Sequence, residues 1–305
     1  MAQLMKLRDY ISRYELDIYR YPSQYIRLKR EKWDKLYQTW QGGIDDIDTE
    51  DVPEELKGKS LLSKFKLFNR KEKKPEPTKP IKNLLESESD LRAYFLDQLY
   101  PFQLKWATSS LSYVSYMDQK YTYDRQLKYF LQRFPDNYLI MYYPIFNIKK
   151  APVDGEIILI SPIDIEIIYL LDDYSDTNII ITDERTWTIE KDGQQSKVIS
   201  PVHSLKRTEQ VIKSILNQKE LTYSIRKTVL TKKNNIVLKQ APYNIDVIGK
   251  FEYEKWFNSK RELTSPLKSH QLKIANQLLD FCTTSSVKRP EWVEEKDEFR
   301  TVGEE

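Results

Sequence analysis

The sequence predicts an α/β fold: a central mixed sheet with flanking helices, preceded by an N-terminal helical segment. Three observations lead there. The stretch Val153–Leu171 holds two isoleucine-rich runs on either side of Ser161-Pro162. β-Branched residues suit a pleated surface, and short apolar runs bounded by turn residues read as buried strands. Further runs of that kind occur at Tyr138–Tyr143, Asn178–Thr182, Thr186–Lys191, Tyr223–Leu230 and Asn235–Leu238. Between and after them, three-four apolar spacing marks helices over Tyr123–Phe134, His203–Gln218 and Pro266–Thr283, the mixed order of an α/β or α+β domain.

Composition excludes several chemistries. The chain has 305 residues and a net charge of +3 from 49 basic and 46 acidic residues. So even a balance gives no overall field for nucleic acid or membrane, and local clusters must carry any such argument. With a single cysteine, Cys282, there is no disulfide framework and no thiolate zinc site. The two histidines, His203 and His270, are far apart in sequence, against a histidine-built metal site or Ser-His-Asp triad. Neither G-x-x-x-x-G-K-[ST] nor G-x-G-x-x-G occurs. No apolar run reaches membrane-spanning length, and Met1–Tyr10 lacks the apolar core of a signal peptide. A cytoplasmic location is the expectation.

In chain order, residues 1–41 read as two helical pieces. Leu4, Leu7, Ile11, Tyr14 and Ile18 mark the first; Ile26, Trp33, Tyr37 and Trp40 mark the second, with Pro22 between them. The aromatic face is a candidate surface for a protein partner. Residues 42–81 read as a charged linker, with an acidic run from Asp45 to Glu55, a basic run from Lys57 to Lys74, then Pro75, Pro77 and Pro80. The basic half carries Leu61, Leu62, Phe65, Leu67 and Phe68, so 57–74 is a candidate peripheral membrane contact. Residues 82–290 form the main domain, with its core at about 120–240 and 291–305 as an acidic tail. Within it, Leu84–Leu99 reads as a helix broken at Pro101, with a helical continuation over Trp106–Met117.

This order and its punctuation resemble the nuclease-related domain (NERD) of many bacterial proteins, a branch of the restriction-endonuclease-like fold. Asp124 falls at the family's helix acid and Asp154 at its hairpin aspartate. Ser161-Pro162 matches the turn. Trp187 with Asp192-Gly193 matches the tryptophan strand, and Ser200-Pro201 before Leu205-Lys206-Arg207 stands where the family has Asn-Pro and a helix. The likeness covers roughly residues 120–240. It implies a Mg²⁺ site made by Asp124, Asp154 and Glu166, with Asp154, Glu166 and a lysine as the catalytic set.

The sequence departs from that pattern where the lysine belongs. The triplet from Glu166 is Glu166-Ile167-Ile168, that from the turn is Tyr169-Leu170-Leu171, and no lysine lies between Lys150 and Lys191. Ser204 stands near the place of the family's glutamine. The reading that follows is a degenerate, inactive nuclease fold that binds nucleic acid or a protein partner, without a cofactor. Lys149, Lys150, Lys206, Arg207 and Lys213 are its candidate contacts to DNA or RNA. One alternative is an active Mg²⁺-dependent nuclease with Lys206 as the relocated lysine. Another is an interaction protein attached to the membrane surface through 57–74.

Overall fold

The computed structural model describes residues 1–42, 87–148, 151–171 and 177–289. In chain order the elements are β1 (Gln3–Leu7), α1 (Tyr21–Gly42), α2 (Glu88–Trp106), β2 (Tyr113–Val114), α3 (Arg125–Arg133), β3 (Leu139–Tyr142), β4 (Ile145–Ile148), β5 (Ala151–Asp154), β6 (Ile157–Ile160) and β7 (Asp164–Leu170). There follow β8 (Asn178–Ile181), β9 (Thr186–Lys191), β10 (Gln194–Ile199), α4 (Val202–Asn217), β11 (Ser224–Leu230), β12 (Asn235–Leu238), β13 (Asp246–Ile248), α5 (Tyr253–Arg261), α6 (Ser269–Asp280) and β14 (Val287–Lys288).

The main sheet is mixed, in the order β1-β3-β6-β7-β11-β13. Its centre is the antiparallel hairpin β6–β7, where Ile158 faces Ile167 and Leu159 faces Glu166. The Ser161 hydroxyl shapes the turn by accepting from the backbone N–H of Ile163 and of Asp164 at 3.1 and 3.0 Å. β7 then runs parallel to β11, and β11 parallel to β13. All four residues of β6 are buried, as befits a strand covered on both faces. α4 supplies cover through Val202, Leu205, Ile212 and Ile215 and packs on β7, β11 and α6. β10-β9-β8-β12 form a second sheet, with the Trp187 ring fully buried.

The N-terminus departs from the expected helical segment. Gln3–Leu7 is a strand, wholly buried, and pairs in parallel with β3. Leu4 and Leu7 satisfy helical spacing, but a partner about 135 residues away overrides the local pattern. Lys6 is fully buried there, with its ammonium on Glu15 at 2.6 Å and on Thr284 Oγ1 at 2.8 Å. α1 begins at Tyr21, so Pro22 occupies its first turn, where the missing N–H costs nothing.

Pro101 does not break α2 but lies inside it. Its ring faces water, and burial of Leu99, Tyr100, Leu104 and Trp106 outweighs the lost backbone hydrogen bond, a cost of about 3 kcal/mol. The expected helical continuation to Met117 is absent: after Trp106 the chain turns into β2, which pairs with β14.

Two compact units divide the chain, Met1–Ile26 with Gln98–Glu305, and Arg27–Asp97. In the second, Trp33 stacks on Tyr37 at 5.7 Å and meets Phe95 edge-on at 5.2 Å. The aromatic row therefore has intramolecular neighbours, and nothing supports the protein partner expected on it. Of the linker expected over 42–81, Gly42 ends α1, and 43–81, with the expected membrane contact at 57–74, lies outside the described residues. No helix among the described residues is long and apolar enough to cross a membrane.

Candidate functional site

A cleft of about 410 Å³ opens at the carboxyl ends of β7 and β11. Leu170 and Leu230, the last residues of these paired parallel strands, form its floor. Ligands in open α/β sheets characteristically sit beyond the carboxyl ends of the strands. Arg125, Gln126, Tyr129 and Phe130 of α3 make one wall. Lys232 and Lys233, in the bend after β11, and Tyr253 at the start of α5 make the other.

Each wall has a local cause. Asn234, fully buried, holds the bend: its amide donates to Leu171 O at 3.0 Å and to Thr231 Oγ1 at 3.1 Å, and its oxygen accepts from Thr177. This directs Lys232 and Lys233 outward, and both are exposed. α3 turns its apolar face inward through Leu127, Phe130 and Leu131, which leaves Arg125 and Tyr129 toward the cleft. α3 and α5 are locked together by aromatic contacts, Phe134 to Trp256 at 5.8 Å and Tyr129 to Phe257 at 5.8 Å.

The cleft is basic and aromatic. The Lys232 ammonium lies 5.3 Å from the ring centres of both Tyr129 and Tyr253, within cation–π reach. The Tyr253 hydroxyl donates to that of Tyr129. Burial raises the Tyr129 phenol above its ordinary value, so it stays protonated at neutral pH. Among the described residues no carboxylate forms an ion pair with Arg125 or Lys233. The N-terminus of α3 is not itself an anion site. The Asp124 carboxylate caps it, accepting from Gln126 N–H at 2.9 Å and Leu127 N–H at 3.0 Å. Any anion here is met by side chains.

The residues singled out from the sequence are dispersed. Besides capping α3, Asp124 accepts from the Tyr142 hydroxyl at 2.9 Å. Asp154 ends β5 in the small β4–β5 hairpin, exposed and 3.7 Å from Arg8. Glu166 is buried in β7, where it accepts from Thr228 Oγ1 at 2.6 Å and Trp256 Nε1 at 3.0 Å and pairs with Lys260. The lysine sought near Glu166 thus comes from α5, far outside the expected window. No group of three or more His, Cys, Asp or Glu among the described residues is placed to hold a metal ion. Lys206 pairs with Glu184 at 2.6 Å and Lys213 with Glu209 at 2.9 Å. Arg207 is exposed on α4. Lys149 and Lys150 lie outside the described residues.

The sequence reading missed Arg125, Tyr129, Lys232, Lys233 and Tyr253. One signal was present: Lys232-Lys233-Asn234-Asn235 is a basic, polar turn directly after an apolar strand.

No protein-family model matches the chain, and no solved structure matches it. It is similar to a protein of Geobacillus stearothermophilus named RNA 2′,3′-cyclic phosphodiesterase, with 36% identity over 114 residues. That stretch covers 34% of this chain and 36% of the relative, so the likeness spans little more than a third of the relative's length. These findings overturn the resemblance to the nuclease-related domain: no model of that family matches, and the relative carries a different named chemistry. With it fall the degenerate nuclease, the relocated-lysine nuclease and the membrane-attached interaction protein. The mixed sheet with flanking helices stands, without its assignment to the restriction-endonuclease-like fold.

Proposed function

We propose that this chain acts on RNA ends that carry a 2′,3′-cyclic phosphate, and that the cleft between α3 and α5 receives the end. One observation carries the reading: Arg125, Lys232 and Lys233 converge with the Tyr129–Tyr253 pair beyond the carboxyl ends of parallel strands. Cations suit a phosphodiester, and a tyrosine face suits a base or ribose. The name of the Geobacillus stearothermophilus relative supplies the chemical class.

Opening a cyclic phosphodiester forms a bond from water oxygen to phosphorus and breaks one ribose oxygen–phosphorus bond. A proton leaves the water, and one reaches the departing oxygen. Arg125 and Lys233 are suited to the negative charge that gathers on the phosphoryl oxygens. Two phenols that share one hydrogen bond keep one further proton between them, suited to serve the departing oxygen. No carboxylate or imidazole is among the described lining residues. The cleft therefore accounts for recognition and charge stabilisation, and turnover is read separately.

The test uses 5′-labelled oligoribonucleotides ending in a 2′,3′-cyclic phosphate, a 3′-phosphate or a 3′-hydroxyl. Expected is saturable binding, about 10-fold or more tighter for the cyclic phosphate than for the hydroxyl, weakened in Lys233→Ala and Arg125→Ala. Gel mobility then reports conversion of the cyclic end to a phosphomonoester. Equal affinity for all three ends would sink the proposal.

A further inference from the structure

Of the aromatic rings in the described structure, Tyr116, Tyr123, Tyr243 and Phe251 are the most exposed, at 79–83%. Two of the four stand close in sequence to residues that line the cleft. Tyr123, 81% exposed, precedes Arg125 by two residues, and Phe251, 79% exposed, precedes Tyr253 by two. The backbone ties the Phe251 side to the basic bend: Lys250 N–H donates to Asn234 O at 3.0 Å, and Thr231 N–H donates to Ile248 O at 3.0 Å. Lys250 is exposed as well. Among the described residues neither ring stacks on another aromatic group. A large ring held in water beside a basic cleft is a platform for a planar ligand, since every base presents a π-face.

The cleft itself, at about 410 Å³, has the volume of one small-molecule site. It has room for one nucleotide, so the rest of an RNA strand must leave across its rim. We infer that the ligand is single-stranded RNA, with the terminal nucleotide in the cleft and the preceding bases stacked on Phe251 and Tyr123. Single strands, whose unpaired bases are free to stack on aromatic side chains, are the usual form in which proteins take RNA by its bases. A duplex keeps those faces covered. This inference rests on the RNA-end reading above and narrows its substrate to unpaired ends of about three nucleotides or more.

The experiment is competition anisotropy with the full chain. A labelled oligoadenylate hexamer ending in a 2′,3′-cyclic phosphate is displaced by unlabelled one-, two-, three- and six-nucleotide RNAs with the same end, and by a G·C-stemmed RNA hairpin whose blunt, fully paired 3′ end carries the same cyclic phosphate. Affinity is expected to rise about 5-fold or more per nucleotide from one to three, the lower end of base–aromatic stacking, and little beyond. The hairpin should compete at least about 10-fold more weakly. Phe251→Ala and Tyr123→Ala should each remove about one step of the length dependence, and Phe251→Trp should keep it.

A mononucleotide competing as well as the hexamer, an equally strong hairpin, or full length dependence in Phe251→Ala overturns the inference and returns these rings to a protein partner. If length dependence is absent while Lys233→Ala still weakens the mononucleotide, the cyclic-phosphate reading survives alone. If length dependence holds but phosphate and hydroxyl ends bind alike, the single-strand inference survives alone. Binding by no RNA overturns both.

Discussion

The Lys260 ammonium on α5 reaches the Glu166 carboxylate in the middle of β7, and the two side chains are only 7% and 1% exposed. Glu166 Oε1 also accepts from Thr228 and Trp256, while Oε2 faces the Lys260 ammonium. A buried pair of this kind returns little net stability, but removing one partner strands the other charge out of water, at about 3–5 kcal/mol. Lys260→Met should therefore lower the urea midpoint sharply. Glu166→Met with Lys260→Met should recover only part of the loss, because the buried Thr228 hydroxyl and Trp256 N–H are then left without an acceptor. If Lys260→Met unfolds at the wild-type midpoint, the pair does not anchor α5.

Binding at the cleft should depend on salt through its side chains. Neutralising Z phosphates of a single strand gives a slope of about −0.7Z in log K against log salt. Lys233→Ala should reduce that slope by roughly 0.7 and weaken all RNA sequences alike, because a lysine on phosphate reads no base. Lys206→Ala and Lys213→Ala should leave the slope near wild type, because each of these lysines is committed to a carboxylate. The measurement is anisotropy across a salt series. A slope unchanged in Lys233→Ala removes that residue from the site.

The parts of the fold legible in the sequence are those made by neighbours. β6 and β7 announce themselves because two isoleucine runs flank Ser161-Pro162 and the turn closes through Ser161 itself. α4 shows because Leu205, Ile212 and Ile215 repeat at helical spacing. β1 does not show, because its partner β3 begins at Leu139 and only that pairing makes it a strand. β10 is missed for another reason: Gln194–Lys197 are all exposed and polar, so no alternation marks it. The cleft is the extreme case. Arg125, Leu170, Lys233 and Tyr253 come from four separate elements or loops and meet only when the parallel strands align their carboxyl ends. Charge count could not find it either, since Lys232 and Lys233 are two among 49 basic residues.

Glu156, just before β6, gives the fold a pH dependence of definite sign. Burial raises its pKa above the ordinary 4.5, against the opposing hydrogen bond from Ser204 and the charge of Arg207. In the window above 4.5 the folded chain holds this proton more than the unfolded chain does. Stability from this site therefore falls as pH rises through that window. Glu156→Gln, which keeps the shape and cannot ionise, should flatten the loss and be the more stable protein at neutral pH. Ser204→Ala should steepen it. Urea midpoints from pH 4 to 8 check the sign, and a Glu156→Gln protein less stable than wild type at pH 7 would reverse the assignment.

Gly249 sets the approach of β13 to the segment that carries Lys250 and Phe251. A Cβ there would meet Ile236 Cγ1 at 2.7 Å and Glu252 Oε2 at 3.2 Å. Ile236 is β-branched and held in β12, which pairs with β8, so it has little room to withdraw. The Glu252 carboxylate, just before α5, accepts from Gly249 N–H at 3.2 Å. Gly249→Ala should therefore cost about 1–3 kcal/mol, the usual penalty for overpacking. The added carbon also pushes against the lead into Tyr253, so RNA binding should weaken by more than the loss of folded protein explains. Measuring affinity at a temperature where Gly249→Ala is still fully folded separates the two effects. Wild-type affinity and a wild-type midpoint together would mean that β12 gives way more easily than its pairing implies.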